Sequence, residues 1–373
     1  MPKLISKLRI PKHENVWEGP SSEGKNGGVS QSMLGKFLQC REEFRIKYVL
    51  GLKPNDGFSH HLEYGNMWHL AEENFAADKD WKKPLLEYAK ELKIKYRTQQ
   101  AEIEKWYNCC LYQFPIYVDF WKKHPDTKGR TGLFQELVFK VPYTLPSGRV
   151  VYLRGKFDGA DLIGKGKDAG IYLFETKTKG EVDPIALQQQ LNFDMQTMMY
   201  LVAMQEDSEQ GSAMDIANHL SPNKPQIKGV RYNVIRRPLS GGKGSIKQKM
   251  VDGKMETDAE YYSRLQQYFI DEPEEWFIRF KVEISQKDIE TFKQQFLNPI
   301  LEQLCDWWQW AGNNPNPFAV SYDGGDNTGL HFRHPFGVKN MIDERGRSDY
   351  QSYMETGNEV GLQRVKQLFG ELQ

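Results

Sequence analysis

Three residues in the middle of this chain have the types and spacing to handle a divalent cation and a water together: Asp158 in RGKFDGADLI, and Glu175 and Lys177 in LFETK. Both segments are rich in β-branched and aromatic residues, as strands are. Side chains alternate faces along a strand, so Glu175 and Lys177 point to one side and Thr176 to the other. If the two strands form a hairpin, Asp158 lies opposite Glu175, and two carboxylates and an ammonium converge. Hard carboxylate oxygens hold Mg²⁺ or Mn²⁺, which keep waters of their own. A cation so held neutralises phosphate charge and acidifies a bound water, while a neighbouring ammonium orients that water or stabilises developing charge. The chemistry that suits this set is hydrolysis of a phosphodiester. An ExK pair also arises by chance at sheet surfaces, where it is a weak ion pair. Here Glu175 follows Ile171, Leu173 and Phe174 in a segment that reads as a buried strand, where a charge needs a reason.

The elements that must position these residues are legible around them. Residues 133–142, 149–163 and 170–177 read as three strands separated by Pro-Ser-Gly and Gly-Lys-Gly turns. A helix is expected from Pro184 to about Gln205, with proline in its first turn. A strand over 227–236, a helix over 258–270, a strand over 276–284 and a helix over 286–310 follow. Upstream, Ser32 is the candidate cap of a helix that places Leu34, Phe37, Leu38 and Phe44 on one face. Further helices are expected at about 60–78 and 83–123, the latter broken near Pro115. Residues 14–29 read as a loose leader and 240–254 as a Gly- and Lys-rich loop. The segment from 312 on reads as an irregular tail that ends in a short helix near 358–371. The pattern is α/β, with a central mixed sheet and helices before, within and after it.

Bulk properties agree with a folded chain and narrow little else. The 373 residues are 39% hydrophobic and 27% charged, with Lys plus Arg equal to Asp plus Glu at 50 each. A neutral balance lends no support to nucleic-acid binding, which then needs a local basic groove. No apolar run is long enough to cross a bilayer, so no membrane partner is expected and a cytoplasmic location is the default. Cys40, Cys109, Cys110 and Cys305 form no CxxC pair and read as reduced thiols.

Six stretches, in order, resemble the RecB-like branch of the PD-(D/E)XK nuclease superfamily, to which phage exonuclease-like proteins also belong. They are SQSMLGKFLQC from Ser30, GNMWH from Gly65, QELVF from Gln135, GKFDG from Gly155, FETK from Phe174 and QTMMY from Gln196. The resemblance implies a restriction-endonuclease-like core over 30–311 with a helical insertion at about 60–125. It also implies helical additions at both ends, with 312–373 as an extension packing on the core. It implies Asp158 and Glu175 as metal ligands, joined by the Thr176 carbonyl and by His69, with Lys177 as the catalytic lysine and Mg²⁺ or Mn²⁺ as cofactor. Glu136 would be an outer partner of the metal or structural. Gln196 and Tyr200, one turn apart, would touch the nucleic-acid strand or brace Lys177. The alternative for His69 is a hydrogen-bonded core histidine.

The expected partner is DNA, with a helicase or recombination protein as a further one, since no GxxxxGK[ST] phosphate loop is present to drive unwinding. Candidate DNA contacts are Ser32, Arg41, Arg45, Arg154, Arg236, Arg237 and the lysines of 243–254. Some RecB-like proteins hold an iron–sulfur cluster on one early and three late cysteines. Cys40 stands at the early place and Cys305 alone lies late, so no cluster is expected. His331 and His334 read as local packing. The expected activity is a metal-dependent deoxyribonuclease, an exonuclease acting from ends or on single-stranded or processed DNA, in repair, recombination or phage DNA processing. Its rivals are a catalytically silent DNA-binding subunit and an unrelated α/β protein with a fortuitous ion pair.

Overall fold

The structure is a computed structural model that describes residues 16–55, 57–180, 182–192, 194–210, 226–238, 247–309, 350, 353 and 358–369. Helix α1 (Gln31–Gln39) starts at Ser30, whose hydroxyl accepts from the Met33 amide at 3.4 Å. Ser30 is thus the cap, and Ser32 is an exposed residue inside the helix. After α2 (Arg41–Phe44) and a π turn over Arg45–Val49 comes the short strand β1 (Leu52–Pro54). Helices α3 (His60–Ala76), α4 (Lys82–Lys95) and α5 (Gln100–Lys123) follow. The expected break at Pro115 does not occur; the interruption falls at 96–99, and α5 runs through the proline. Proline costs the helix a hydrogen bond. Burial of Ile103, Trp106, Phe114, Tyr117 and Trp121 along α5 offsets that loss.

The sheet consists of β2 (Arg130–Thr144), β3 (Val150–Ile163), β4 (Gly170–Lys179), β5 (Ile227–Arg236) and β8 (Phe277–Glu283). Its order is β2-β3-β4-β5-β8, and the β4–β5 pair alone is parallel. Parallel neighbours need a crossover. Helices α6 (Pro184–Leu191) and α7 (Met195–Gln210) lie in it, where one continuous helix was expected. Asp194 makes the second start, its carboxylate accepting from the Thr197 amide at 3.2 Å. One short hairpin, β6 (Met250–Val251) and β7 (Lys254–Met255), occupies part of the expected loop. Helix α8 (Asp258–Asp271) and the short α9 (Pro273–Trp276) then lead into β8. Beyond β8, α10 (Gln286–Phe292) and α11 (Asn298–Trp307) are joined by a π turn.

Two cores sandwich the sheet. One gathers α1, α7, α10 and α11 over Leu153, Phe157, Leu173, Tyr232 and Val234. The other gathers α3, α5 and α8 over Ile235 and Phe277. This is the expected mixed sheet flanked by helices. Two expectations fail at its margins. Residues 17–29 are packed: Trp17 is 2% exposed, and its indole donates to the Gly28 carbonyl at 2.7 Å. The Gly and Ser content that suggested a loose leader serves tight turns instead, with Gly19 and Gly28 at positive φ. In place of a helix near 358–371, the described residues there hold strand β9 (Leu362–Arg364), antiparallel to β1. The unpaired edge of β1, far off in sequence, decides this. His331, His334, Lys243 and the tail 312–340 lie outside the described residues.

Candidate active site

The site sits in a fork of the sheet. Pairing of β3 with β4 runs from Ile163↔Gly170 to Gly159↔Phe174 and stops there. Beyond it β3 stays with β2, and β4 stays with β5. Residues 17–29 take over the edge that β4 leaves. The Val29 amide donates to the Tyr152 carbonyl at 2.7 Å, and the Arg154 amide donates to the Val29 carbonyl at 3.0 Å. Asp158 and Glu175 occupy the first step past the last paired position, so they are not ladder partners as the hairpin reading expected. Instead the Asp158 carboxylate bridges the fork and accepts from the Thr176 amide at 2.8 Å.

Around that crotch the side chains converge. Lys177 Nζ donates to Glu175 Oε1 at 2.6 Å and to Gln196 Oε1 at 2.8 Å, and Gln196 Nε2 donates to the Tyr200 hydroxyl at 3.3 Å. Thr176 points to the other layer, where its hydroxyl accepts from Asn233, as strand alternation requires. Asn233 also donates to Glu72 at 3.1 Å and to Tyr117 at 2.8 Å, so the back of the strand is fixed by a buried network. From α3, His69 Nδ1 lies 3.1 Å from Glu136 Oε1 and 3.8 Å from Asp158 Oδ1. His69, Glu136 and Asp158 each offer one ligand atom within 4.8 Å of the others, a spacing one cation could span.

Glu136 is more central than its sequence suggested. It adopts φ +52° inside β2, the left-handed region that costs a side-chain-bearing residue energy. Its neighbours Gln135 and Leu137 pair with Gly159 and Phe157, so this strained residue stands across from Asp158. Lys156, missed in the sequence, holds Glu136 Oε2 at 2.8 Å and reaches Glu73 at 3.6 Å. Its place two residues before Asp158 on one strand was the available signal. A Cβ on Gly65 would lie 3.5 Å from the Thr178 hydroxyl, an ordinary contact where α3 packs on β4.

Burial sets the electrostatics. It raises the Glu175 carboxyl to about 7, with the Asp158 charge adding to it and Lys177 opposing. Burial raises Asp158 as well, against the pull of His69. For His69 burial disfavours the charge, but Asp158 and Glu136 outweigh it and lift the imidazole to about 10. Glu175 is 1% exposed, and its Oε2 finds no partner among the described residues. A buried carboxylate oxygen left bare beside two further acids is what a divalent cation satisfies, so the residues present fit a metal.

The basic candidates divide. Arg154 donates to the Lys25 and Gly27 carbonyls at 2.8 Å and lies 3.6 Å from the Phe369 ring centroid, so it binds the chain's own loop. Arg45 is 7% exposed. Arg41 lies over Phe37 and donates to Gln303 at 3.2 Å. Arg236 reaches Glu275 at 3.4 Å over Trp276. Arg237 is 4% exposed and donates to His61 at 2.6 Å, while its Nε and Nη1 find no partner among the described residues. The four cysteines are buried thiols joined by no disulfide.

No curated protein matches the chain. A family model does: that of the PD-(D/E)XK nuclease superfamily matches residues 28–298, which include every element of the fork. With the match covering well over half of the sequence, the chain belongs to the PD-(D/E)XK nuclease superfamily.

Proposed function

We propose that this protein is a metal-dependent deoxyribonuclease of the RecB-like kind, in which Asp158 and Glu175 hold Mg²⁺ or Mn²⁺ and Lys177 serves the attacking water. The observation that carries the reading is the bare Glu175 Oε2 at a fork where Asp158, Glu136 and His69 also converge. Asp158 Oδ1 and Glu175 Oε2 are the natural ligand atoms, since Asp158 Oδ2 and Glu175 Oε1 are taken by the Thr176 amide and Lys177. The Thr176 carbonyl and His69 complete the proposed set, His69 exchanging its Glu136 contact for the metal. A bound divalent ion supplies charge neutralisation at the phosphate and a more acidic water. Lys177, held between Glu175 and Gln196, offers its remaining proton to that water or to the phosphate oxygen. Before metal binds, Glu136, itself held by Lys156, positions the imidazole, and Tyr200 fixes Gln196.

Within this reading the division of the chain into a nuclease core at 30–311 and an extension at 312–373 stands as a proposal. So do action at DNA ends, a role in repair, recombination or phage DNA processing, and a helicase or recombination partner. Arg236 and Arg237, at the carboxyl end of β5, are the proposed phosphate contacts, Arg236 being the less buried of the two. The test is incubation with end-labelled linear, circular and single-stranded DNA in Mg²⁺, Mn²⁺ or EDTA. Metal-dependent cleavage abolished in Asp158→Ala and lowered at least about 100-fold in Lys177→Ala is expected. DNA binding without cleavage by the parent protein would instead mark a silent binding subunit.

A further inference from the structure

A cavity of about 640 Å³ opens where the carboxyl end of α3, α5 and a face of the sheet meet. Three of its lining residues neighbour the candidate ligands His69, Glu136 and Asp158 along the chain: Gly159 follows Asp158, Gln135 precedes Glu136, and Glu72, in the network behind β4, lies one helical turn beyond His69. Its walls are aromatic, from Phe75, Phe114, Tyr117, Trp121, Phe134 and Phe174. Its floor includes Gly132 and Gly159, where backbone rather than side chain meets whatever enters.

The charges around it cancel. Lys122, Arg130 and Arg279 are matched by Glu72, Asp119 and Asp161. Two of the cations are already engaged. Arg279 lies 3.9 Å from the Trp121 ring centroid and donates to Tyr117 and Asn233, and Arg130 pairs with Asp126 and Asp161. Such a cavity has no net charge to attract a phosphate. It suits a flat, uncharged heterocycle that stacks on aromatic faces and meets polar groups at its edge.

We propose that this cavity receives one unpaired nucleobase of the strand whose phosphate lies at the fork. The inference rests on the nuclease reading and adds a substrate class to it. A base in a duplex has both faces covered by its neighbours and its edge by its partner, so it must leave the stack to enter an aromatic cavity. The enzyme therefore favours nucleic acid with an unpaired nucleotide beside the cut, whether a single strand, a flap or a frayed end. Phe75 forms the accessible wall: it is 45% exposed, packs on Phe114 and is not one of the candidate ligands.

The test pairs a protein change with a substrate change. Binding of single-stranded oligonucleotides is measured in EDTA, where cleavage is blocked, using an intact series and a series carrying one abasic nucleotide at successive positions. Phe75→Ala and Phe75→Tyr are compared with the parent chain. One position is expected at which loss of the base weakens parent binding at least about fivefold, since stacking on an aromatic side chain is of that size. Phe75→Ala should weaken binding of the intact strand similarly yet leave binding of that abasic strand unchanged, and Phe75→Tyr should restore the parent value. Equal loss for intact and abasic strands, or no sensitive position, overturns the cavity assignment while leaving cleavage in Mg²⁺ untouched. A parent chain that neither binds nor cuts nucleic acid removes the nuclease reading and this inference with it.

Discussion

At Glu175 a proton and a divalent cation compete for one buried oxygen. Burial holds that carboxyl to about 7, so folding favours its protonated form. A folded value above the unfolded one contributes stability that is complete below the ordinary carboxylate range and lost as pH rises through about 7. The metal-free protein is therefore destabilised by this group at alkaline pH, and a bound cation removes that penalty. We expect the rise in Tm on adding Mn²⁺ to be larger at about pH 8 than at about pH 6, by thermal unfolding with and without EDTA. A rise independent of pH would show that Glu175 is not a ligand. Lys177→Ala removes the ammonium hydrogen-bonded to Glu175, and cleavage should fall about 10²- to 10³-fold, as when a charge-stabilising donor is lost. Lys177→Arg should not restore it, because a planar guanidinium cannot occupy the place between Glu175 and Gln196 as an ammonium does.

Individual elements carry separable parts of the geometry. Helix α1 is capped by Ser30, not Ser32, whose hydroxyl lies 3.1 Å from that of Ser30. Ser30→Ala should cost about 1 kcal/mol in urea unfolding, and Ser32→Ala less than about 0.5 kcal/mol. Equal costs would return the cap to Ser32. Strand β3 meets helix α7 at Gly155, where a Cβ would lie 2.7 Å from the Phe139 ring and 2.9 Å from Tyr200. Gly155→Ala should therefore displace Tyr200, and through Gln196 the ammonium of Lys177. We expect a loss of about 1–3 kcal/mol in stability. A fall in kcat with little change in KM should accompany it, measured on a labelled oligonucleotide.

Across the whole molecule the two ends of the described chain meet behind the fork. Phe369 is 3% exposed against Arg154, which clasps the carbonyls of Lys25 and Gly27. Val365 and Leu368 join the same core, and β9 closes on β1. The far end of the sequence thus helps hold the loop that covers the edge β4 vacates. Phe369→Ala should cost about 3–5 kcal/mol in urea unfolding and make residues 17–29 the first to exchange their amides. Unchanged protection of Val29 would show that the loop is held by its own turns.

Alternation along β4 is a covalent consequence of the chain, so the sequence alone determined that Glu175 and Lys177 share a side and that Thr176 faces away. Local composition likewise determined the strands, their turns and most helices, because their apolar periods are written within ten or twenty residues. It could not show that Pro115 is carried inside a helix, that 17–29 pack, or that 362–364 form a strand, since each outcome depends on partners distant in sequence. The fork itself belongs to that second class. Whether two strands continue pairing or part at Asp158 depends on which other backbone satisfies the vacated edge, and only the folded chain brings Val29 to Leu153. The same is true of Glu136 and Lys156, whose charges acquire meaning through the contacts that tertiary packing makes with His69.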